Sequence, residues 1–359
     1  MSELKPGATI GILGGGQLGR MLSVAASRLG YRCHVYEPGA APAGDVAHRL
    51  TTAPYEDEAA LRAFAESVDV ITYEFENVPT AALDLLESLR PIRPNRRALA
   101  VSQDRLAEKD FLAGIGLRTA PYRSVETEAD LPEALAVLGA PAILKTRRLG
   151  YDGKGQRVFR ASQAGRTQGV YAEMGAVPLI LEALVPFERE ISVIAARGRD
   201  GHVVAYDPAE NVHRDGILHT STVPAAASPA TLAAAREAAR AILDGLDYVG
   251  VVGVEFFALA DGQVLVNEIA PRVHNSGHWT EAACAVSQFE QHIRAVAGLP
   301  LGDPGRHSDC VMENLIGDDI LRAPRLLAEP GLVLHLYGKR EARPGRKMGH
   351  FTRLKPLSA

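Results

Sequence analysis

Residues 254–268 read Val254-Glu255-Phe256-Phe257-Ala258-Leu259-Ala260-Asp261-Gly262-Gln263-Val264-Leu265-Val266-Asn267-Glu268. Runs of β-branched and aromatic residues flank Asp261-Gly262, a preferred pair for a two-residue hairpin turn, whose central positions take positive φ. If that turn is tight, Ala260 pairs with Gln263, and counting outward sets Glu255 opposite Glu268. Directly opposed side chains have Cβ atoms ~5 Å apart, and like charges there repel. In this register Phe257 and Val266 share the face of the acids, so the carboxylates sit against apolar surface. Either one acid is protonated or a divalent cation lies between them. Oxygen ligands without cysteine nearby favour Mg²⁺ held jointly with substrate phosphates. The plainer alternative is an exposed strand end with both charges solvated.

Around this hairpin the pattern is mixed. Residues 179–185, 190–196 and 202–206 read as strands, 228–246 as an alanine-rich helix and 281–296 as another helix. The hairpin arms are 249–259 and 263–269, and short strands are expected around Val311 and Leu334. Upstream, a polar helix over 102–113 leads to a strand at 142–145. The N-terminal hundred residues have a βαβ rhythm: strand 8–13, a helix from Gln17 closed by Gly30, strand 32–36, strand 68–73 and helix 80–89. That alternation predicts a parallel sheet. Pro91 and Pro94 mark its end. The coarse fold class is three α/β or α+β segments, the middle one rich in antiparallel strands.

Composition narrows the functions. The net charge of −4 argues against a general nucleic-acid binder. No apolar run reaches the ~18 residues that span a bilayer, and the first eight residues lack a secretory pattern. Cys33, Cys284 and Cys310 are odd in number and widely spaced, which fits a reducing, cytoplasmic setting and excludes a zinc ribbon.

Two glycine-rich stretches invite a phosphate. Gly14, Gly16 and Gly19 satisfy G-x-G-x-x-G between a strand and a helix, with Glu37 where a ribose-binding acid would sit. A dinucleotide, another anionic ligand and plain turn chemistry all fit that turn. The second stretch, Leu149-Gly150-Tyr151-Asp152-Gly153-Lys154-Gly155-Gln156, follows a strand ending in Lys145. Such a loop can close backbone N–H groups over phosphates while lysines neutralise them, or it can be a surface loop. Lys339, Arg340, Arg343, Arg346 and Lys347 crowd the C-terminal region, as a solvated face or a phosphate pocket. His274 and His278 have an i, i+4 spacing, but Asn-Ser-Gly between them makes a poor helix for a zinc pair.

Taken together, Gly-Gly-Gly-Gln-Leu-Gly-Arg-Met (14–21), Tyr-Asp-Gly-Lys-Gly-Gln (151–156), Glu-Ala-Leu-Val (182–185) and Asn-Glu-Ile-Ala-Pro-Arg-Val-His-Asn-Ser-Gly-His (267–278) closely resemble the 5-(carboxyamino)imidazole ribonucleotide synthases, as does Arg-Pro-Gly-Arg-Lys-Met-Gly-His (343–350). The resemblance runs along essentially the whole chain. It implies an ATP-grasp fold with an N-terminal Rossmann-like (pre-ATP-grasp) domain (1–100), an ATP-grasp domain (101–300) and a C-terminal segment (301–359). A mobile lid would span about 119–185. It implies ATP, bicarbonate and 5-aminoimidazole ribonucleotide as substrates, Mg²⁺ on Glu255 and Glu268, a homodimer, and hand-off of product to a separate mutase. Arg105, Lys145, Lys154 and His213 would attend the phosphates, with Gly150, Gly153, Gly155 and Gln156 in the flap. Ala183, Leu184 and Val185 would meet adenine, Glu182 its amino group and Glu190 the ribose. Many relatives in the wider superfamily carry an Asn two residues after the second metal Glu; here Ala270 stands there, so Asn267 or water must complete the shell. Arg272, His274 and Asn275 would hold the bicarbonate or carboxyphosphate, and Tyr151 and Asp152 would position the amine. Lys339 and Arg346 would take the ribonucleotide phosphate, with Gly16, Gln17, Leu18, Glu37, Glu74 and Glu76 on the far wall. Rival readings are a sister ligase such as a formate-dependent glycinamide ribonucleotide transformylase, a dehydrogenase built on the first glycine turn, and a non-catalytic nucleotide sensor.

Overall fold

The computed structural model of the protein describes residues 3–150, 155–163, 165 and 167–358. The first body alternates β1 (Thr9–Leu13), α1 (Gln17–Arg28), β2 (Arg32–Tyr36), β3 (Arg49–Thr51), α2 (Glu58–Glu66), β4 (Val70–Tyr73) and α3 (Thr80–Leu89). Its strands form a parallel sheet in the order β3-β2-β1-β4, as the βαβ rhythm requires. Gly30 ends α1 because the chain turns there at φ +79°, a conformation that costs glycine little.

Residues 102–113 do not form one helix. They split into α4 (Arg96–Ser102) and α5 (Arg105–Gly114), with the Asp104 side chain accepting from the N–H groups of Leu106 and Ala107. An Asp at this point offers freed backbone donors a partner and so starts a new helix. The same device corrects the helix expected at 281–296. It is a short α9 (Thr280–Ala283), then α10 (Gln288–Ala297), capped by Ser287 onto Glu290 N–H.

A small antiparallel sheet, β5-β8-β6-β7, combines β5 (Tyr122–Val125), β6 (Ala142–Thr146), β7 (Gln156–Phe159) and β8 (Leu179–Ala183), with α6 (Asp130–Leu138) and α7 (Val170–Glu173) beside it. It has its own core of Val125, Leu131, Leu144, Phe159 and Leu181.

The large antiparallel sheet holds, among the described residues, nine strands. They are β9 (Arg189–Arg197), β10 (Val203–Ala205), β11 (Ala209–Arg214), β12 (Ile217–Val223), β13 (Gly250–Ala258), β14 (Val264–Ala270), β15 (Asp309–Ile316), β16 (Leu332–Leu336) and β17 (Lys347–Lys355). The order is β14-β13-β9-β11-β12-β15-β17-β16, with β10 on β9. Helix α8 (Pro229–Gly245), capped by Ser228, covers one face, and α11 (Ala323–Leu326) lies before β16. One core joins the bodies: Ile10, Met21 and Val35 pack with Ile194, Val251 and Phe289, and with Met312 and Tyr337. The N-terminal sheet and the large sheet therefore form one block. His292 pins them further, its Nε2 2.7 Å from Thr72 Oγ1 and its Nδ1 accepting from Val251 N–H at 3.1 Å.

Candidate active site

Glu255 and Glu268 do pair across β13 and β14, but the path to that register differs from a tight turn. Ala258 pairs with Val264, Phe257 with Leu265 and Phe256 with Val266; a bulge at Asn267 then restores Glu255 to Glu268. Asp261 keeps a negative φ, and its Oδ1 accepts from Gln263 N–H at 2.9 Å, so the loop closes wider than two residues. The bulge wins on burial. It keeps Val266 (2% exposed) and Phe256 (0%) in the core together. A tight turn would pair Phe256 with Asn267 and send an amide inward. Burying an apolar side chain stabilises by about 1.5–3 kcal/mol, whereas burying an unpaired amide costs ~1–3 kcal/mol. Val266 thus does not share the face of the acids. Phe257 does, and the bulge turns both Asn267 and Glu268 toward the same cleft.

That cleft, about 880 Å³, is lined from the two antiparallel sheets and from the segments that follow β1 and β4. Burial, and then the charge of Glu268, push the Glu255 carboxyl up to about 7. His274 Nε2 lies 3.7 Å from Glu255 Oε1, and Arg105 lies 3.5 Å from Glu268 Oε2. His213 contacts Glu190; burial alone would lower its pKa, but that contact and the field of Glu255 carry it above the usual histidine value. Glu255, Glu268 and Asn267 offer hard oxygen donors at one spot, a set that fits Mg²⁺.

On the side of the small sheet, Lys145 of β6 sits 3.1 Å from Glu182 Oε2, and Lys109 of α5 sits 3.4 Å from the same oxygen. Burial, only partly offset by Glu182, lowers the Lys145 ammonium. Glu182 Oε1 is buried and has no hydrogen-bond partner among the described residues. Ala183, Leu184 and Val185 continue the wall to Phe187, which stacks on Phe257 with centroids 4.6 Å apart. Gly150, Gly155 and Gln156 border the cleft, and Arg105 donates to Gly150 O at 3.3 Å. Tyr151, Asp152, Gly153 and Lys154 lie outside the described residues.

The first glycine turn holds the protein's own carboxylates. Glu74 accepts from Gly16 N–H (2.5 Å) and Gly19 N–H (2.9 Å), and Glu37 accepts from Gly15 N–H (2.9 Å). A Cβ on Gly16 would meet Glu74 Oε1 at 2.7 Å, and one on Gly15 would meet Ala41 Cβ at 2.6 Å. The N–H groups of Gly15, Gly16 and Gly19 are therefore held by the protein's own carboxylates in this structure. Burial raises the Glu74 carboxyl to about 7 despite these bonds. Gly16, Gln17, Leu18, Glu74 and Glu76 line the cleft; Glu37, turned to Gly15 and Gly39, does not.

Arg272 reaches the cleft but is already bound in a fork by Glu76, with Nη2 3.0 Å from Oε1. Asn275 is partly spent too: it and Asn314 exchange amide hydrogen bonds of 3.0 and 2.8 Å. From the tail, the cleft wall takes Lys347, at the start of β17. Lys339 and Arg346 stand off that wall: the Lys339 ammonium donates to Lys347 O at 2.7 Å, and Arg346 donates to Glu341 O at 2.9 Å. Burial, then Arg346, lower Lys339 to about 8. Sequence reasoning passed over Glu108, Lys109 and Arg147, and named Lys347 only as part of the basic run. Arg105, Glu108 and Lys109 at i, i+3 and i+4 on one helix carried a readable signal. Glu108 is buried and pushed up to about 8 by burial and by Glu268, and it accepts from Ile269 N–H at 3.1 Å.

Comparison with known proteins places this geometry. Residues 7–103 match the ribonucleotide synthetase preATP-grasp domain, 110–289 the ATP-grasp domain, and 310–357 the phosphoribosylaminoimidazole carboxylase C-terminal domain. The chain is 60% identical over 356 residues to the N5-carboxyaminoimidazole ribonucleotide synthase of Brucella melitensis, covering 99% of this chain and 98% of that one. It is 44% identical over 343 residues to the enzyme of the same name from Pseudomonas aeruginosa, covering 96% and 93%. Among solved structures, an ADP complex of an N5-carboxyaminoimidazole ribonucleotide synthetase superposes with a TM-score of 0.94 at 43% identity, covering 99% of this chain and 94% of that one. The Aspergillus clavatus synthase in complex with ADP and 5-aminoimidazole ribonucleotide gives 0.91 at 34%, covering 98% and 94%. The α/β and α+β architecture, the opposed acids and these likenesses agree: the chain belongs to the N5-carboxyaminoimidazole ribonucleotide synthase family of ATP-grasp ligases.

Proposed function

We propose that the protein uses ATP and bicarbonate to carboxylate the exocyclic amine of 5-aminoimidazole ribonucleotide, releasing ADP and phosphate. The observation that carries this reading is the single cleft in which Glu255 and Glu268 meet Lys145 and Arg105 on one side and Gln17, Arg272 and Lys347 on the other. Two polyanionic substrates can meet there.

ATP lies against the small sheet. Residues 183–185 and the stacked Phe187 and Phe257 flank adenine, and the unpartnered Glu182 Oε1 accepts its amino N–H. Glu190 takes the ribose, with His213 beside it. Lys145 and Arg105 neutralise phosphate oxygens. Mg²⁺ on Glu255 and Glu268, with Asn267, would supply charge neutralisation at the transferring phosphoryl group. Arg272 and His274 hold bicarbonate as it attacks the γ-phosphorus, and then the carboxyphosphate formed. That anhydride collapses to carbon dioxide and phosphate, and the amine captures the carbon dioxide as a carbamate. The amine proton passes to the freed phosphate. The small sheet, over 119–185, closes as a lid that keeps water from the acyl phosphate, and by the family resemblance Lys154 attends the phosphates while Tyr151 and Asp152 position the amine. Gly16, Gln17, Leu18 and Lys347 bind the ribonucleotide, with Glu74 holding the glycine turn in shape. Activity as a cytoplasmic homodimer, with hand-off to a separate mutase, rests on the family resemblance.

The test is ADP release with each small substrate omitted in turn. Release should require ATP and bicarbonate and rise strongly with 5-aminoimidazole ribonucleotide. Equal release with formate and glycinamide ribonucleotide would move the protein to the sister ligases.

A further inference from the structure

Away from the cleft, three metal-ligating side chains converge. Glu281 sits on α9, and His335 and His350 face each other across β16 and β17, their rings stacked with centroids 5.4 Å apart. Glu281 Oε2 is 3.1 Å from His335 Nδ1 and 3.7 Å from His350 Nε2, and one ligand atom from each residue lies within 4.8 Å of the others. We propose that Glu281, His335 and His350 form a second cation site, of His₂Glu type, for a zinc-class divalent ion.

The distances favour a shared ion over a hydrogen-bonded cluster. Ligands ~2.0–2.2 Å from a tetrahedral zinc stand about 3.3–3.6 Å from one another. The two separations straddle that edge, and 3.7 Å is too long for a hydrogen bond. The surrounding groups set the needed tautomer. His350 Nδ1 lies 2.9 Å from the buried Tyr337 hydroxyl, so its proton can point there and leave Nε2 bare for a metal. Ligating histidines usually make such a second bond. His278 packs 4.7 Å from His350, yet it is not a ligand. The Gln288 amide is oriented by His274 N–H and O, so its NH₂ donates to His278 Nδ1 and leaves the proton of the neutral ring on Nε2. Access is open: Glu281 and His335 side chains are 26% and 23% exposed, and Glu281 borders a cavity of about 160 Å³ against α1. With three protein ligands the fourth position goes to water. The ion would clasp the segment behind Arg272 and His274 to the strand that carries Lys347. It would act on stability, not on phosphoryl transfer.

The test uses the full chain, treated with chelator and then held in excess MgCl₂ so that the cleft acids are occupied. Calorimetric titration with ZnCl₂ should show one more equivalent in the parent than in His335→Ala, or a Kd at least tenfold lower. Co²⁺ in place of zinc should give tetrahedral visible bands in the parent alone. Circular dichroism checks that the variant is folded; if it is not, Glu281→Gln takes its place. The same zinc isotherm in parent and folded variant overturns the proposal.

Discussion

Glu255 carries two opposite demands. Burial and Glu268 raise its folded pKa to about 7, above the ordinary 4.5. The folded state then binds the extra proton, so this group contributes stability below pH 4.5 that is lost as pH rises through 7. Glu255→Gln removes that loss. Without Mg²⁺, the variant should gain on the parent by on the order of 1–3 kcal/mol between pH 5 and pH 8 in urea unfolding. Its Mg²⁺-dependent ADP release should disappear. A variant that turns over normally would take the metal away from Glu255. Lys347 lines the same cleft, and a charge-assisted hydrogen bond to phosphate is worth ~1.5–3 kcal/mol. Lys347→Ala should raise the KM for the ribonucleotide about tenfold or more, since 1.4 kcal/mol is a factor of ten. Arg346→Ala should raise it by less, because Arg346 is tied to Glu341 off the cleft wall. The KM for ATP should barely move in either. Equal effects in the two variants would place the phosphate over the whole basic run.

Helix α5 shows how one element serves both fold and site. Asp104 caps it, forks onto Arg147 at 2.9 and 2.8 Å, and so sets Arg105 and Glu108 toward the cleft and Lys109 against Glu182. Asp104→Ala should cost about 1–2 kcal/mol from the lost cap alone. It should also raise the KM for ATP, since Arg105 and Lys109 lose their fixed direction. If the urea midpoint falls while that KM stays put, α5 is only scaffold. The β13–β14 hairpin gives the complementary lesson about legibility. The opposition of Glu255 and Glu268 could be counted from residue spacing, yet the turn and the bulge could not. Two one-residue departures cancel there, and only the core, by claiming Val266 and Phe256 and refusing Asn267, decides where they fall.

At the scale of the whole molecule, the N-terminal and large sheets share a core, and His292 spans the seam between Thr72 and Val251. Burial lowers its pKa from 6.5 to about 3. Between those values the unfolded chain binds the proton and the folded chain does not, so stability falls as pH drops below 6.5. His292→Asn should reduce that slope by about 1.4 kcal/mol per pH unit, read from urea unfolding between pH 6 and pH 5. An unchanged slope would mean that His292 is protonated in the fold. The variant should also be less stable than the parent at pH 8, because the tie between the sheets is lost.

Periodicity and turn chemistry determined what is local. The limits of β2 and α3, the parallel N-terminal sheet, the glycine after α1 and the opposed acids follow from neighbours in the chain, whose spacing physics is short-ranged. Strands β11, β12 and β17 were not legible, because buried polar residues such as Asn211, Ser221, His350 and Thr352 break the alternation that marks a strand over solvent. Nor could sequence tell that Glu74 and Glu37 satisfy the glycine turn, that Lys347 rather than Lys339 or Arg346 reaches the cleft, or that Glu281 meets His335 and His350. Each of those depends on groups far apart in the chain competing for the same donor or the same space, and only the packed fold decides that competition.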